Sequence, residues 1–229
     1  TTWSRGLGDV YKRQAKKVPT VWWSSPNPMS LKPNRSTMAI LVIGEFIFGL
    51  GDSLLIAAGV GNTPWTVLAE GIADTTEVWT IGEATFLVSV AVMFLWIPIK
   101  ETPGIGTILN IIIIALTIHV MVPILPQPEN PLVSILMASL GIVLVGIGSC
   151  MYLTANLGPG PRDGWMTGLQ RTTGIPIGRV RIAIEASVLV IGIVLGGTFG
   201  IGTILFAVTI GPVVASCLSI ASRIDSTTG

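Results

Sequence analysis

Residues 104–125 read GIGTILNIIIIALTIHVMVPIL, and two properties of this stretch decide what kind of chain this is. Its strongly polar residues are Asn110 and His119 alone, and it is long enough to cross a bilayer, which takes about 20 mostly apolar residues. Its opening hexamer, GIGTIL, recurs at 200–205. The first property predicts an integral membrane helix, and the second predicts an internal repeat.

Five further apolar runs lie around it, at 38–60, 81–99, 131–157, 181–197 and 203–220. The run at 131–157 has length to spare for tilt, and 181–197 is the shortest, since Gly196, Gly197, Gly200 and Gly202 crowd its end. A soluble all-helical core would need polar faces on these segments, and they have none. The whole chain agrees: 50% of its 229 residues are hydrophobic and 11% charged, against about 25% charged in soluble domains. The mean hydropathy is +0.77. The fold class expected is an all-α integral membrane protein of six spans.

Lysines and arginines set orientation. Lys16, Lys17, Lys32 and Arg35 precede the first run, Lys100 follows the second, Arg162, Arg171, Arg179 and Arg181 separate the fourth from the fifth, and Arg223 follows the sixth. The three remaining connections hold Glu70, Asp74, Glu77 and Glu129 and no basic residue. Both termini are therefore expected in the cytoplasm.

The repeat extends beyond the hexamer. Gly51, Ala58, Gly61, Pro64 and Gly71 match Gly148, Ala155, Gly158, Pro161 and Gly168 at a constant offset of 97, and Gly82 matches Gly178 at 96, the offset of GIGTIL itself. Each copy reads as a span, a Gly-x-x-Pro turn, a short helix, a second span and GIGTIL at a third. Three spans is an odd number, so the copies enter the membrane from opposite sides, the inverted arrangement frequent in transporters. The domain plan is a polar, disordered or artefactual segment 1–37, repeat one at 38–125, an outer loop at 126–130, repeat two at 131–220 and a tail at 221–229. Residues 4–14 resemble a translated sequencing adapter, which would move the natural start to Met29 or Met38; they carry no functional argument. Trp22 and Trp23 suit interfacial anchors.

The short helix of each copy begins at a Pro. Thr63 is placed as N-cap with Pro64 at the first helical position, and Pro161-Arg162-Asp163 opens the second. Each has room for about ten helical residues, roughly 15 Å or half a bilayer. Pro, Gly and a cap read alike whether such a helix lies along the interface or dips in as a re-entrant half-helix, so both readings stand.

Ionisable groups within spans are functional candidates. Glu45 and Asp52 are seven residues apart, on one face of the first span. Asn110 sits in the third, and Glu185 one turn after Arg181 in the fifth, where an ion pair is expected. Arg162 and Asp163 at the start of a short helix suit an anionic group or a lipid phosphate, or else pair with Arg171 or Glu185. Glu45, Asp52, Asn110, Arg162, Asp163 and Glu185 are the candidates for a substrate or ion path. Glu83 is expected to snorkel or pair near the headgroups, and His119 to bond another helix. Gly192-x-x-x-Gly196 offers close packing, within the protein or between protomers. Cys150 and Cys217 fall in apolar runs without CxxC spacing, which points away from a disulfide frame or a metal site. No Walker A, HExxH, GxSxG or GxGxxG after a strand is present, so neither a catalytic residue nor a cofactor is expected.

GNTPWTVLAEGIA at 61–73, GIGTILN at 104–110, GPGPRDGWMTGL at 158–169, the VRIAIE run with Arg181 and Glu185, and LGGTFGIGTIL at 195–205 together resemble the bacterial YczE/YyaS/YitT group of membrane proteins, over roughly 43–214. The resemblance implies a multi-pass protein of the bacterial plasma membrane and carries no substrate or catalytic residue. Two functions stay open: a small-solute or ion transporter or channel with its site between the repeats, or a membrane scaffold or regulator that transports nothing. The expected partners are the lipid bilayer, a small solute or ion and a second copy of the chain; no nucleic acid is expected.

Overall fold

In the computed structural model, residues 18–76 and 78–226 are described. The adapter-like stretch 4–14, Lys16, Lys17 and Glu77 lie outside them. Among the described residues there are nine helices and no strand: α1 (Arg35–Ala58), α2 (Pro64–Thr76), α3 (Ile81–Phe94), α4 (Trp96–Ile99), α5 (Ile105–Met121), α6 (Pro131–Ala155), α7 (Pro161–Thr173), α8 (Ile177–Val194) and α9 (Ile201–Ser226). The all-helical membrane class is as read from the sequence.

Four segments are long and apolar enough to cross a bilayer: α1, α3 continued by α4, α6 and α9 as far as Arg223. Two of the six expected spans fall short of that. Helix α5 has 17 residues, about 26 Å at 1.5 Å per residue, against a hydrocarbon core of about 30 Å. It stops at Met121 because Pro123 supplies no N–H and restrains the residue before it. Helix α8 starts at Ile177 rather than at 181, so Arg179 and Arg181 are part of the helix instead of preceding it. A similar proline effect separates α3 from α4: Pro98 offers no N–H to the Phe94 carbonyl, and the chain steps through Leu95.

Helices α1 and α6 form the centre. Hydrocarbon tails compete with any apolar side chain, so close backbone approach at small residues replaces the hydrophobic drive of soluble proteins. A Cβ added to Gly51 would stand 2.6 Å from the Gly141 carbonyl oxygen, and one on Gly141 would stand 2.7 Å from that of Gly51. One on Gly148 would meet the Gly44 oxygen at 2.5 Å and one on Gly44 the Gly148 oxygen at 3.2 Å. As α1 ascends in number α6 descends, so the two run antiparallel. Around this pair, Leu55, Ile142, Val145, Phe206 and Ile210 make one apolar cluster, and Trp65, Val92, Met166, Val180 and Val188 another.

The Gly-x-x-Pro turns each reach across to the other GIGTIL. Gly202 N–H donates to the Val60 carbonyl and Gly106 N–H to the Leu157 carbonyl, both at 2.8 Å. Gly61 and Gly158, at φ 111° and 105°, hold a backbone region open mainly to glycine, and a Cβ on either would press on Gly200 or Gly104 at 2.5 and 2.9 Å.

Part of the segment expected to be disordered packs on the end of α6. Val21 and Ser25 are buried, Ser25 N–H donates to the Ala155 carbonyl at 3.0 Å, and Trp23 Nε1 donates to Thr154 Oγ1 at 3.1 Å. His119 binds Thr80 Oγ1 at 2.9 Å, tying α5 to the start of α3. Glu83 closes a capping box with Thr80 there. Of Gly192 and Gly196, only the first packs, against the Val67–Leu68 backbone of α2.

Candidate functional site

The two short helices, α2 and α7, start at the same place. Pro64 and Pro161 open them because proline's fixed φ suits a first helical turn and its missing N–H would have no partner there. Thr63 caps α2, accepting from Thr66 N–H at 3.3 Å. Helix α7 starts from Gly160, which has no side chain to cap with, so the N–H groups of Arg162 and Asp163 are left for something else. The two first turns meet: the Trp65 and Trp165 rings stand edge to face at 6.4 Å, and the Arg162 guanidinium lies over the Trp65 ring at 5.4 Å.

Both turns open on one cavity of about 610 Å³, inside the range of roughly 300–1,000 Å³ usual for small-molecule sites. Its inner end holds Thr63, Trp65, Asn110, Tyr152 and Arg162, and it runs past Ile210 and Val214 to Pro19 and Ser222 near the end of α9. Four expected path residues line it: Asn110, Arg162, Asp163 and Glu185. Glu185 is held by Arg181 at 2.8 Å, the pair expected from their spacing. Asp163 accepts a hydrogen bond from the Tyr152 hydroxyl. Neither Arg171 nor Glu185 pairs with Arg162 or Asp163; Arg171 binds Glu101 at 2.9 Å instead.

Glu45 and Asp52 lie behind the wall rather than in it. Both side chains are fully buried, and none of their four carboxyl oxygens has a hydrogen-bond partner within bonding geometry. Asn110 is the polar group facing Glu45; Thr66 and the Arg162 charge face Asp52. A buried carboxyl without a partner is costly, which marks this pair as the least satisfied polar feature of the bundle. Among the described residues, no group of three or more His, Cys, Asp or Glu side chains is arranged to hold a metal ion.

Three residues of this region escaped the sequence reading. Trp65 is 5% exposed, with an indole N–H that reaches no acceptor. Tyr152 sits in an apolar run and gave no signal beyond being one of two tyrosines. Glu70, counted only as an acid of an outer loop, accepts from Asn62 Nδ2, Thr198 N–H and Thr198 Oγ1, each at 2.8 Å.

Comparison with known proteins locates this bundle. The profile of the family of unknown function DUF6198 matches residues 35–219. The chain belongs to that family. An uncharacterized protein of Haemophilus influenzae is 41% identical over 213 residues, covering 93% of this chain and 96% of the relative. The uncharacterized membrane protein YczE of Bacillus subtilis is 34% identical over 173 residues, 73% of this chain and 79% of its own length. YyaS of the same organism, also uncharacterized, is 29% identical over 176 residues, 71% and 83% of the two chains. The resemblance to the YczE and YyaS group is thus a family relationship, and the chain is a membrane protein. No solved structure matches it.

Proposed function

We propose that this protein carries or conducts a small solute across the bacterial plasma membrane, through a site between two inverted repeats of three spans each, without enzymatic chemistry. The observation that carries the reading is the cavity in which both short-helix N-termini, Arg162 and Asn110 converge beside two unpartnered carboxyls. Substrate sites of inverted-repeat transporters form in this way, with broken helices presenting N-termini to the solute near the repeat interface.

Reciprocal contacts support the repeat. Gly44 and Gly51 are the counterparts of Gly141 and Gly148 at the offset of 97, and exchanging the two copies turns the Gly44–Gly148 contact into the Gly141–Gly51 contact. The Val60–Gly202 and Leu157–Gly106 bonds are related in the same way. Exchanged contacts of this kind are what a two-fold axis produces. Helices α5 and α8 then serve as the third span of one repeat and the second of the other, α8 snorkelling Arg179 and Arg181 to the cytoplasmic surface. The cavity reaches Ser222 at the end carrying the basic residues, which on this reading is the cytoplasmic side.

Reconstituted protein should take up one class of labelled solute from a panel of organic acids, amino acids, sugars and inorganic ions. Arg162→Ala, or Ala215→Trp, which fills the cavity from its lining, should abolish that uptake. Failure to move any solute by folded protein would leave the scaffold reading. For topology, an impermeant maleimide added to whole cells should label Thr76→Cys and spare Thr172→Cys, in a background lacking Cys150 and Cys217. The reverse pattern overturns the cytoplasmic termini.

A further inference from the structure

The charges lining the cavity are not equally available. Asp163 is engaged by Tyr152, and Glu185 and Arg181 neutralise one another at 2.8 Å. Arg162 is left: among the described residues no carboxylate lies within ion-pair distance of it, and its placed contact is the face of Trp65. Asp52 faces the Arg162 charge from behind the wall, and neither it nor Glu45 reaches the cavity surface, so Arg162 is the lining charge that a solute can meet without displacing a hydrogen bond or an ion pair. Two helix N-termini add partial positive charge at the same spot. A second observation points to a ligand there. The Trp65 indole N–H is buried and lacks an acceptor in a side chain that lines the cavity, and an indole N–H can only donate.

We infer that the cavity binds a small carboxylate with an apolar body, its carboxylate received by the Arg162 guanidinium, the Trp65 indole N–H and the uncapped first turn of α7. This names the substrate class of the transport site proposed above and rests on that reading for its purpose, not for its geometry. A planar guanidinium fork matches a carboxylate's two oxygens. The apolar part of the wall, including Phe48, Ile114, Val145, Met166, Phe206 and Ile210, offers such an acid an apolar seat.

Calorimetry on the full chain in nanodiscs tests this with benzoate and isovalerate, benzamide as the neutral match of benzoate, and benzylamine as its cationic match. At least one acid should bind saturably, benzoate at least tenfold tighter than benzamide, and benzylamine not at all. Arg162→Gln should weaken the acid at least tenfold and Trp65→Phe, which keeps the ring and removes the donor, several-fold. Arg162→Lys, retaining charge without the fork, should fall between and guards against a folding defect in the glutamine variant. Binding by neither acid, equal binding of benzoate and benzamide, or an unchanged Arg162→Gln overturns the proposal. Benzoate affinity that collapses when phosphatidylglycerol replaces phosphatidylcholine overturns it in favour of a lipid headgroup. Acid binding without uptake keeps this site and removes the transport reading; uptake of the acid unaffected by Arg162→Gln does the opposite.

Discussion

The turn at 60–64 and the turn at 157–161 have the same backbone and different stitching. Each places a glycine at φ above 100°, each lends a carbonyl to the opposite GIGTIL, and each ends in a helix-starting proline. In the first, Asn62 and Thr63 fill the middle positions, and Asn62 shares the Glu70 carboxylate with Thr198. In the second those positions are Pro159 and Gly160, and the residue matching Glu70 at the offset of 97 is Thr167. The ties there are neutral, Thr107 Oγ1 donating to the Pro159 carbonyl at 2.7 Å and Trp96 Nε1 to the Pro161 carbonyl at 2.9 Å. A clasp centred on a charged acceptor therefore holds one turn, while neutral donors hold the other, with Arg162 and Asp163 on the cavity wall. On the transport reading proposed above, the more weakly tied turn would open first.

The shared backbone predicts the largest effect. Gly61→Val and Gly158→Val should each cost about 3 kcal/mol or more, from a disfavoured φ together with overpacking, read as loss of monodisperse protein on heating in detergent. Tolerance of either variant would break the equivalence of the turns. The unequal stitching predicts the next. Glu70→Gln removes a charged acceptor of three hydrogen bonds and should destabilise by about 2 kcal/mol, whereas Thr167→Val at the matching position should stay within about 0.5 kcal/mol. Equal losses in thermal unfolding would remove the asymmetry. Beside the second turn, Tyr152→Phe frees Asp163 and should cost about 1 kcal/mol, in the range measured for hydrogen bonds inside membrane proteins. The same variant should leave the first turn's stability unaltered in a double mutant with Glu70→Gln, the two losses adding; strong non-additivity would couple the turns. The smallest effect belongs to Glu101→Gln, whose partner Arg171 is 58% exposed. A shift in melting equivalent to about 0.5 kcal/mol or less, vanishing in high salt, is expected of such a pair.

Much of this architecture is legible in single residues because the membrane constrains sequence directly. A helix in lipid must be apolar throughout and satisfy its own backbone, so 38–60 and 131–157 stand out with few alternatives. Helix starts at Pro64 and Pro161 follow from local chemistry, as does the Arg181–Glu185 pair. The lengths of α5 and α8 were less legible. Apolar character continues through Pro123 although the helix does not, and Arg179 lies inside a helix whose start is set by Pro176.

The candidate site was legible in part. Arg162, Asp163, Asn110 and Glu185 meet at the cavity as polar residues in unusual places. Glu45 and Asp52 share a face of α1, but which neighbour that face meets depends on how α1 rolls against α6, a matter of the Gly44–Gly148 and Gly51–Gly141 approach. Trp65 and Tyr152 look like ordinary aromatic residues of apolar segments until their polar ends are located. Glu70 acquires its role from Thr198, 128 residues away in the chain.

By itself, then, the sequence determined the solvent, the helical class, the repeated motifs and the polar residues that apolar segments tolerate at a cost, since each depends on composition or near-neighbour spacing. Tertiary structure alone decided which of those residues share a cavity, which charges are already spent on partners, and which turn is clasped. Those are long-range facts: they arise when two helix N-termini nearly a hundred residues apart are brought to one point by glycine-lined packing.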